Sequence, residues 1–196
     1  MKQSQPARGV GRPRSTEADR AVLDAAITLL AERGYQSMTM EAVAEAAKVG
    51  KPTVYRRYRS KAELVAAALL EMSPAEAPAL PEGSREAVLV LLRTTARALA
   101  DPGAMTIMGS LLAEVSREPE LLRALRDRVF GPHRVMVGSV LRSGVESGEI
   151  AADADLEIVD TLLFGALLAR SILGEPVTDS WLKGLVDSIW KGMDPR

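Results

Sequence analysis

Apolar residues in this chain recur three and four positions apart, the spacing of a helix face, and no stretch alternates in the period of a strand. Val22, Ala26, Leu29 and Leu30 form one such stripe, and Trp181, Leu185 and Ile189 form another. Aromatic residues are only 4% of the chain, so its core must be built from Leu, Ala, Val and Met, a mixture that favours helices over sheets. The expected fold class is all-α, with about nine helices. With 47% hydrophobic and 26% charged residues, the chain can bury a core and stay soluble.

Several kinds of chemistry are excluded at once. There is no cysteine, hence no disulfide, zinc ribbon, iron–sulfur cluster or thiol nucleophile. The lone histidine, His133, cannot build a multi-histidine metal site. No cofactor and no metal are expected. The longest apolar run, Leu162 to Ile172, is interrupted by Arg170 and falls short of the ~20 residues that cross a bilayer. The basic N-terminus is not followed by the apolar stretch of a secretory signal. These features describe a soluble, cytoplasmic protein without a membrane partner.

The net charge of −1 hides an asymmetry. Up to Leu64 there are 12 Lys and Arg against 7 Asp and Glu; beyond it there are 13 against 19. A basic N-terminal third on an acidic remainder suggests a polyanion-binding head on a body that does other work. Uneven surface charge without function is the plainer alternative.

Punctuation divides the chain. Residues 1–15 read as a flexible basic arm, after which Thr16 is expected to cap a helix that Gly34 stops. Thr39 caps a short second helix. Lys48-Val49-Gly50 makes a tight turn, and Pro52 suits the first turn of a third helix running over about 51–58. Ser60 and Glu63 form a capping box for a fourth helix through Met72. Three prolines between Ser73 and Gly83 mark the best domain boundary, separating residues 16–72 from 84–196. In the second part, a long helical pattern from Leu121 to Glu146 should break or kink at Gly131-Pro132.

The informative stretch is Thr39 to Lys61: a short helix, a tight turn and a second short helix, the grammar of a helix-turn-helix. Val54 and Tyr58 share one face of the second helix and should pack inward. Lys51, Pro52, Thr53, Tyr55 and Arg56 are left for the outward face. Cations, a phenol and a hydroxyl suit a helix lying in a major groove. There Arg56 can read a guanine edge, while Lys51, Thr53 and Tyr55 can anchor phosphates. Arg57 is open to either a DNA contact or an ion pair within the domain.

Several motifs in order resemble the DNA-binding domain of the TetR family of bacterial regulators. They are Val22-Leu-Asp-Ala-Ala26, Ala31-Glu-Arg-Gly-Tyr35, the Thr39 helix, and Lys51-Pro-Thr-Val-Tyr-Arg-Arg-Tyr-Arg-Ser-Lys61-Ala-Glu-Leu64. The likeness covers about residues 16–70. It implies that Tyr55 is the family's phosphate-contacting tyrosine and Lys61 its phosphate-binding lysine, and that Thr39 meets a phosphate. Lys48 departs from the family where the turn often has Gly, Gly50 where Ser often caps, and Pro52 where Gly is frequent. Lys48 would be strained if its φ were positive. Arg12 and Arg14 in the arm either enter a minor groove or belong to a solvated tail.

The body resembles the family's ligand-binding and dimerisation domain in helical layout and length. Leu163, Leu167, Trp181, Leu185 and Ile189 are expected at a dimer interface, a four-helix bundle being the arrangement the resemblance implies. Met105, Met108, Phe130 and His133 are candidate ligand contacts; plain core roles are the alternative for the first three, and a structural role for His133. Together these readings anticipate a homodimeric transcriptional repressor. Its partners would be a double-stranded inverted-repeat operator and a small-molecule effector. An all-helical enzyme and a nonspecific architectural DNA binder are the competing classes, although no catalytic set or phosphate loop is visible.

Overall fold

The computed structural model describes residues 13–72, 78–193 and 195. Among them every regular element is helical: α1 (Pro13–Ser37), α2 (Met40–Ala46), α3 (Lys51–Arg57), α4 (Lys61–Glu71), α5 (Ser84–Leu99), α6 (Pro102–Leu112), α7 (Pro119–Leu125), α8 (Gly131–Glu146), α9 (Leu156–Ile172) and α10 (Asp179–Trp190). The all-α class expected from the apolar spacing is the observed one. No helix among the described residues is long and apolar enough to cross a membrane.

The break expected near Gly131-Pro132 is a five-residue π turn, Arg126–Phe130, between α7 and α8. Counting the two arms separately gives ten α-helices among the described residues. The Gly131 N–H reaches back to the carbonyl of Arg126, and a Cβ on Gly131 would lie only 2.9 Å from that oxygen. Glycine is therefore the residue that fits. Pro132, with no N–H to give, tolerates the interrupted ladder.

The start of α1 differs from expectation. The helix begins at Pro13, so Thr16 lies inside it rather than capping it, and residues 13–15 belong to the helix and not to an arm. Proline's fixed φ suits a first helical turn. Arg14 falls on that turn, whereas Arg12 and the rest of the arm lie outside the described residues. Gly34 does interrupt α1, with φ 71° and ψ 172°.

Two apolar cores form. The second is built from α5, α8, α9 and α10, with Leu92, Leu141, Leu163, Leu167 and Val186 buried. The first joins α1–α4 through Val22, Leu30, Val43, Val54 and Leu64. It also takes in Ile107 and Leu111 of α6 and Leu121 and Leu125 of α7, which come from beyond the proline-rich connection. The core boundary therefore does not follow the break in the sequence.

Where α5 meets α8, the backbones approach closely. A Cβ on Gly144 would lie 2.5 Å from Ser84 Oγ and 2.7 Å from Ile150 Cδ1. Ser84 donates from both its N–H and its hydroxyl to Glu149 Oε2, at 2.9 and 2.7 Å. Gly144→Ala should lower stability in urea unfolding by about 1 kcal/mol, the middle of the net range. Overpacking of ~1–3 kcal/mol outweighs the ~1 kcal/mol helix-propensity gain of alanine. An unchanged or higher midpoint would contradict this close approach.

Candidate nucleic-acid interface

Thr39 takes an extended conformation before α2, and its hydroxyl accepts a hydrogen bond from Ala42 N at 3.1 Å, the expected N-cap. Val43 and Ala44 are buried beneath it. At the other end of α2, Val49 N bonds Ala44 O and Lys48 N bonds Glu45 O, both at 3.0 Å. This is the Schellman pairing, which needs a left-handed residue just past the helix. Gly148 after α8 and Gly174 after α9 supply it with φ 77° and 67° in the same pattern. In the α2–α3 turn, Lys48 does so with φ 54°.

Gly50 opens α3 without a side-chain cap, and Pro52 sits in its first turn. Val54 is fully buried against the head core, and Tyr58, at the C-cap, packs on the same core. This inward face fixes which side chains remain outside: Lys51, Pro52, Tyr55 and Arg56 are exposed, with Thr53 half-buried. Arg56 has no ion-pair partner among the described residues. Arg57 is half-buried and pairs with Asp19 of α1, the intradomain one of its two readings.

Tyr55 is tied to a residue that the sequence did not single out. Its hydroxyl donates to Glu41 Oε1 at 2.7 Å. That bond holds the Glu41 carboxyl below its ordinary pKa and raises the phenol of Tyr55. The two lie 14 positions apart and meet only because the turn folds α2 against α3. No helical spacing could have revealed the pair.

Lys61 begins α4 behind the cap Ser60, whose hydroxyl accepts from Glu63 N at 3.2 Å. Glu63 completes the cap one residue earlier than a standard box, by accepting from Arg59 N at 2.8 Å. The Lys61 ammonium donates to Tyr35 O at 2.8 Å and lies 4.1 Å from the centre of the Tyr35 ring. Burial pulls its pKa down, and Glu118 and Glu114 oppose that. The buried phenol of Tyr35 is pushed up to about 12, chiefly by desolvation. Tyr35 also ties the head to the body: its N–H donates to Ser110 Oγ of α6 at 2.7 Å. Beside it, Gln36 donates to Glu114.

In the body, Leu163 and Leu167 are buried in the chain's own core, at 2% and 0% exposure, and so are not available to a second subunit. Trp181, Leu185 and Ile189 are half-buried and pack on the same core. Arg170 stacks 4.8 Å from the Trp181 ring. The exposed apolar face of α9 is instead Ile158, Leu162 and Ile172, with Leu173 at the C-cap and Gly165 and Ala169 between them. At about 100° per residue, five positions turn the helix about 140°, which separates Ile158 and Leu162 from Leu163 and Leu167.

The four ligand candidates do not share one site. Met108 and Phe130 line a cavity of about 660 Å³ between α4, α5, α6 and the π turn. His133 and the other side of Phe130 line a second cavity of about 530 Å³ between α7, α8 and α9. Met105 is half-buried on α6 and is not among the residues lining either one.

Known proteins share both parts of this arrangement. Residues 22–68 match the model for bacterial regulatory proteins of the tetR family, and residues 82–189 match that for the tetracyclin repressor-like C-terminal domain. The chain belongs to the TetR family of bacterial transcriptional regulators. It is 36% identical over 179 residues to the HTH-type transcriptional regulator Rv1556 of Mycobacterium tuberculosis, covering 90% of this chain and 86% of that one. The DNA-binding transcriptional repressor TetR of Mycobacteroides abscessus is 29% identical, with 86% and 90% covered. The crystal structure of the TetR family transcription regulator SCO0332 superposes with a TM-score of 0.66 at 26% identity, over 91% of this chain and all of that one. As a TetR-family member the protein is a DNA-binding transcriptional regulator and not an enzyme.

The family's frequent turn glycine gives the strain at Lys48 a direct test. Lys48→Gly should raise the thermal midpoint by about 2–3 °C, since a non-glycine residue in the left-handed region costs ~1 kcal/mol. A lower midpoint would mean that Lys48 makes an interaction worth more than its backbone strain.

Proposed function

We propose that the protein is a homodimeric, ligand-responsive repressor that binds an inverted-repeat operator. The observation that carries this reading is the division of α3: Val54 is buried while Lys51, Tyr55 and Arg56 stand exposed. An exposed arginine with no ion-pair partner among the described residues, on such a helix, suits a guanine edge in the major groove. Thr39, Lys51, Thr53, Tyr55 and Lys61 flank it as phosphate anchors, with Pro52 packed along the same face. Arg12, Arg14 and Arg57 are assigned weaker roles, Arg57 because Asp19 holds it.

Two recognition helices about one DNA turn (~34 Å) apart need a dimer. The exposed face of α9 supplies an apolar surface for it, centred on Ile158 and Leu162, with Gly165 and Ala169 allowing close helix approach. The effector is assigned to the cavity at Met108 and Phe130, because Leu69 of α4 and Met72 at its C-cap form part of its wall. A ligand there acts on the helix that begins at Lys61. It need favour the released state by only a few kcal/mol.

Selection from a random duplex pool at physiological salt, with the bound species sized, should enrich an inverted repeat bound by a dimer. Absence of enrichment would overturn the reading. Arg56→Ala should relax base preference at one position per half-site by ~1–3 kcal/mol. Lys61→Ala, measured where the variant is folded, should weaken binding to every sequence and reduce the salt slope by about one. If the two variants behave alike, these roles are wrongly divided. Leu162→Glu should sediment as a monomer; a persisting dimer would place the interface elsewhere.

A further inference from the structure

The second cavity, between α7, the π turn, α8 and α9, has a chemistry of its own. Leu122, Phe130 and Phe164 make its apolar wall. The two phenyl rings meet edge-to-face, with centroids 6.0 Å apart and planes at 62°. The imidazole of His133 lies 6.1 Å from Phe164 on the same wall. At about 530 Å³ the space falls within the range of small-molecule sites, roughly 300–1,000 Å³.

The backbone here is arranged to form this wall. The π turn ends at Phe130, and only glycine fits at 131 against the Arg126 carbonyl. A regular helix through 126–130 would rotate Phe130 and His133 relative to Leu122 on α7. Single π turns of this kind occur often at binding sites.

The charges around the cavity are satisfied within the chain. Arg134 pairs with Asp160 at 2.9 Å and with Glu157 at 3.3 Å, and Arg126 with Asp127 at 3.1 Å. A charged ligand therefore finds no unmatched partner. Thr161 on the same wall gives its hydrogen to Glu157 O, and the imidazole of His133 is the other polar group facing the ring pair. His133 Nε2 lies 3.1 Å from Thr95 Oγ1, and Thr95 gives its own hydrogen to Leu91 O at 3.1 Å. The hydroxyl oxygen can then only accept, so Nε2 carries the proton and Nδ1 is an acceptor. Nδ1 has no partner among the described residues. Burial lowers the pKa of the ring, and Asp160 opposes that.

We infer that this cavity binds an uncharged, planar aromatic molecule whose hydroxyl or N–H donates to His133 Nδ1. The inference goes beyond the repressor reading, since it concerns binding at a place distinct from the cavity assigned to the effector.

Two probes that share one ring system test it: 2-naphthol, which has the donor, and 2-methoxynaphthalene, in which a methyl group replaces the donated hydrogen. Calorimetric titration of the full chain should find one 2-naphthol per subunit, bound about five- to tenfold more tightly than the ether. His133→Phe should abolish that preference while leaving the ether's affinity within about twofold. Leu122→Trp, which enlarges an exposed residue on the wall, should block both probes without touching the core. Equal affinity of the two probes for the wild-type protein would overturn the proposal. So would a folded His133→Phe variant that keeps the preference, or undiminished binding to Leu122→Trp. Operator binding is measured separately. If 2-naphthol binds as expected and DNA is not released, this site stands and its ligand is not the effector; if DNA is never released by any ligand, the effector reading falls alone.

Discussion

Ile107 and Leu111 of α6, with Leu121 and Leu125 of α7, close the core of the four N-terminal helices. All four are buried to 3% exposure or less. Each contributes roughly 1.5–3 kcal/mol by leaving water. The three short helices α2–α4, of 7, 7 and 11 residues, are too short to hold their shape by local propensity. They depend on this burial, and through it the DNA-facing head depends on the body. The outward direction of Tyr55 and Arg56 follows from Val54 being anchored in that same core.

Polar bonds at the joint run in parallel with the apolar ones. Gly34 turns the chain at the end of α1 so that Tyr35 N meets Ser110 Oγ, and Lys61 meets Tyr35 O. Glu63, which caps α4, also pairs with Arg128 in the π turn at 2.5 Å. The N-terminus of α4 is thus bonded to α1 and to the π turn, and Tyr35 beside it is bonded to α6. Direct contacts therefore link α6 and the π turn to the start of α4. Phe130 walls both cavities, which puts the π turn between them and the head.

Much of the architecture was legible in residue order. Thr39, Ser60 and the Pro52 turn mark helix ends because caps act locally, within three or four residues. Val54 and Tyr58 were readable as inward because one helix face has one period. Lys48 was readable as the strained position because the left-handed residue of the turn is set by its place after α2. The errors are of two other kinds. Thr16 competed with Pro13 for the same helix start, and proline, which fits a first turn, lies further out. Leu163 and Leu167 were assigned to a dimer because α9 is apolar nearly all round, and periodicity cannot say which side of such a helix faces its own core.

What the sequence determined by itself is therefore the all-helical class, the helix-turn-helix, the family and the outward set on α3. Each of these rests on interactions between near neighbours or on a pattern of fixed period. Only the tertiary structure decided that α6 and α7 complete the head core, that Glu41 holds Tyr55, that Asp19 holds Arg57, and that His133 and Met108 face different cavities. The Glu41–Tyr55 and Asp19–Arg57 pairs join residues 14 and 38 positions apart, and α6 and α7 reach the head from beyond the proline-rich connection. Their pairing is set by which apolar surfaces exclude water together, a property of the whole packing that no local spacing encodes.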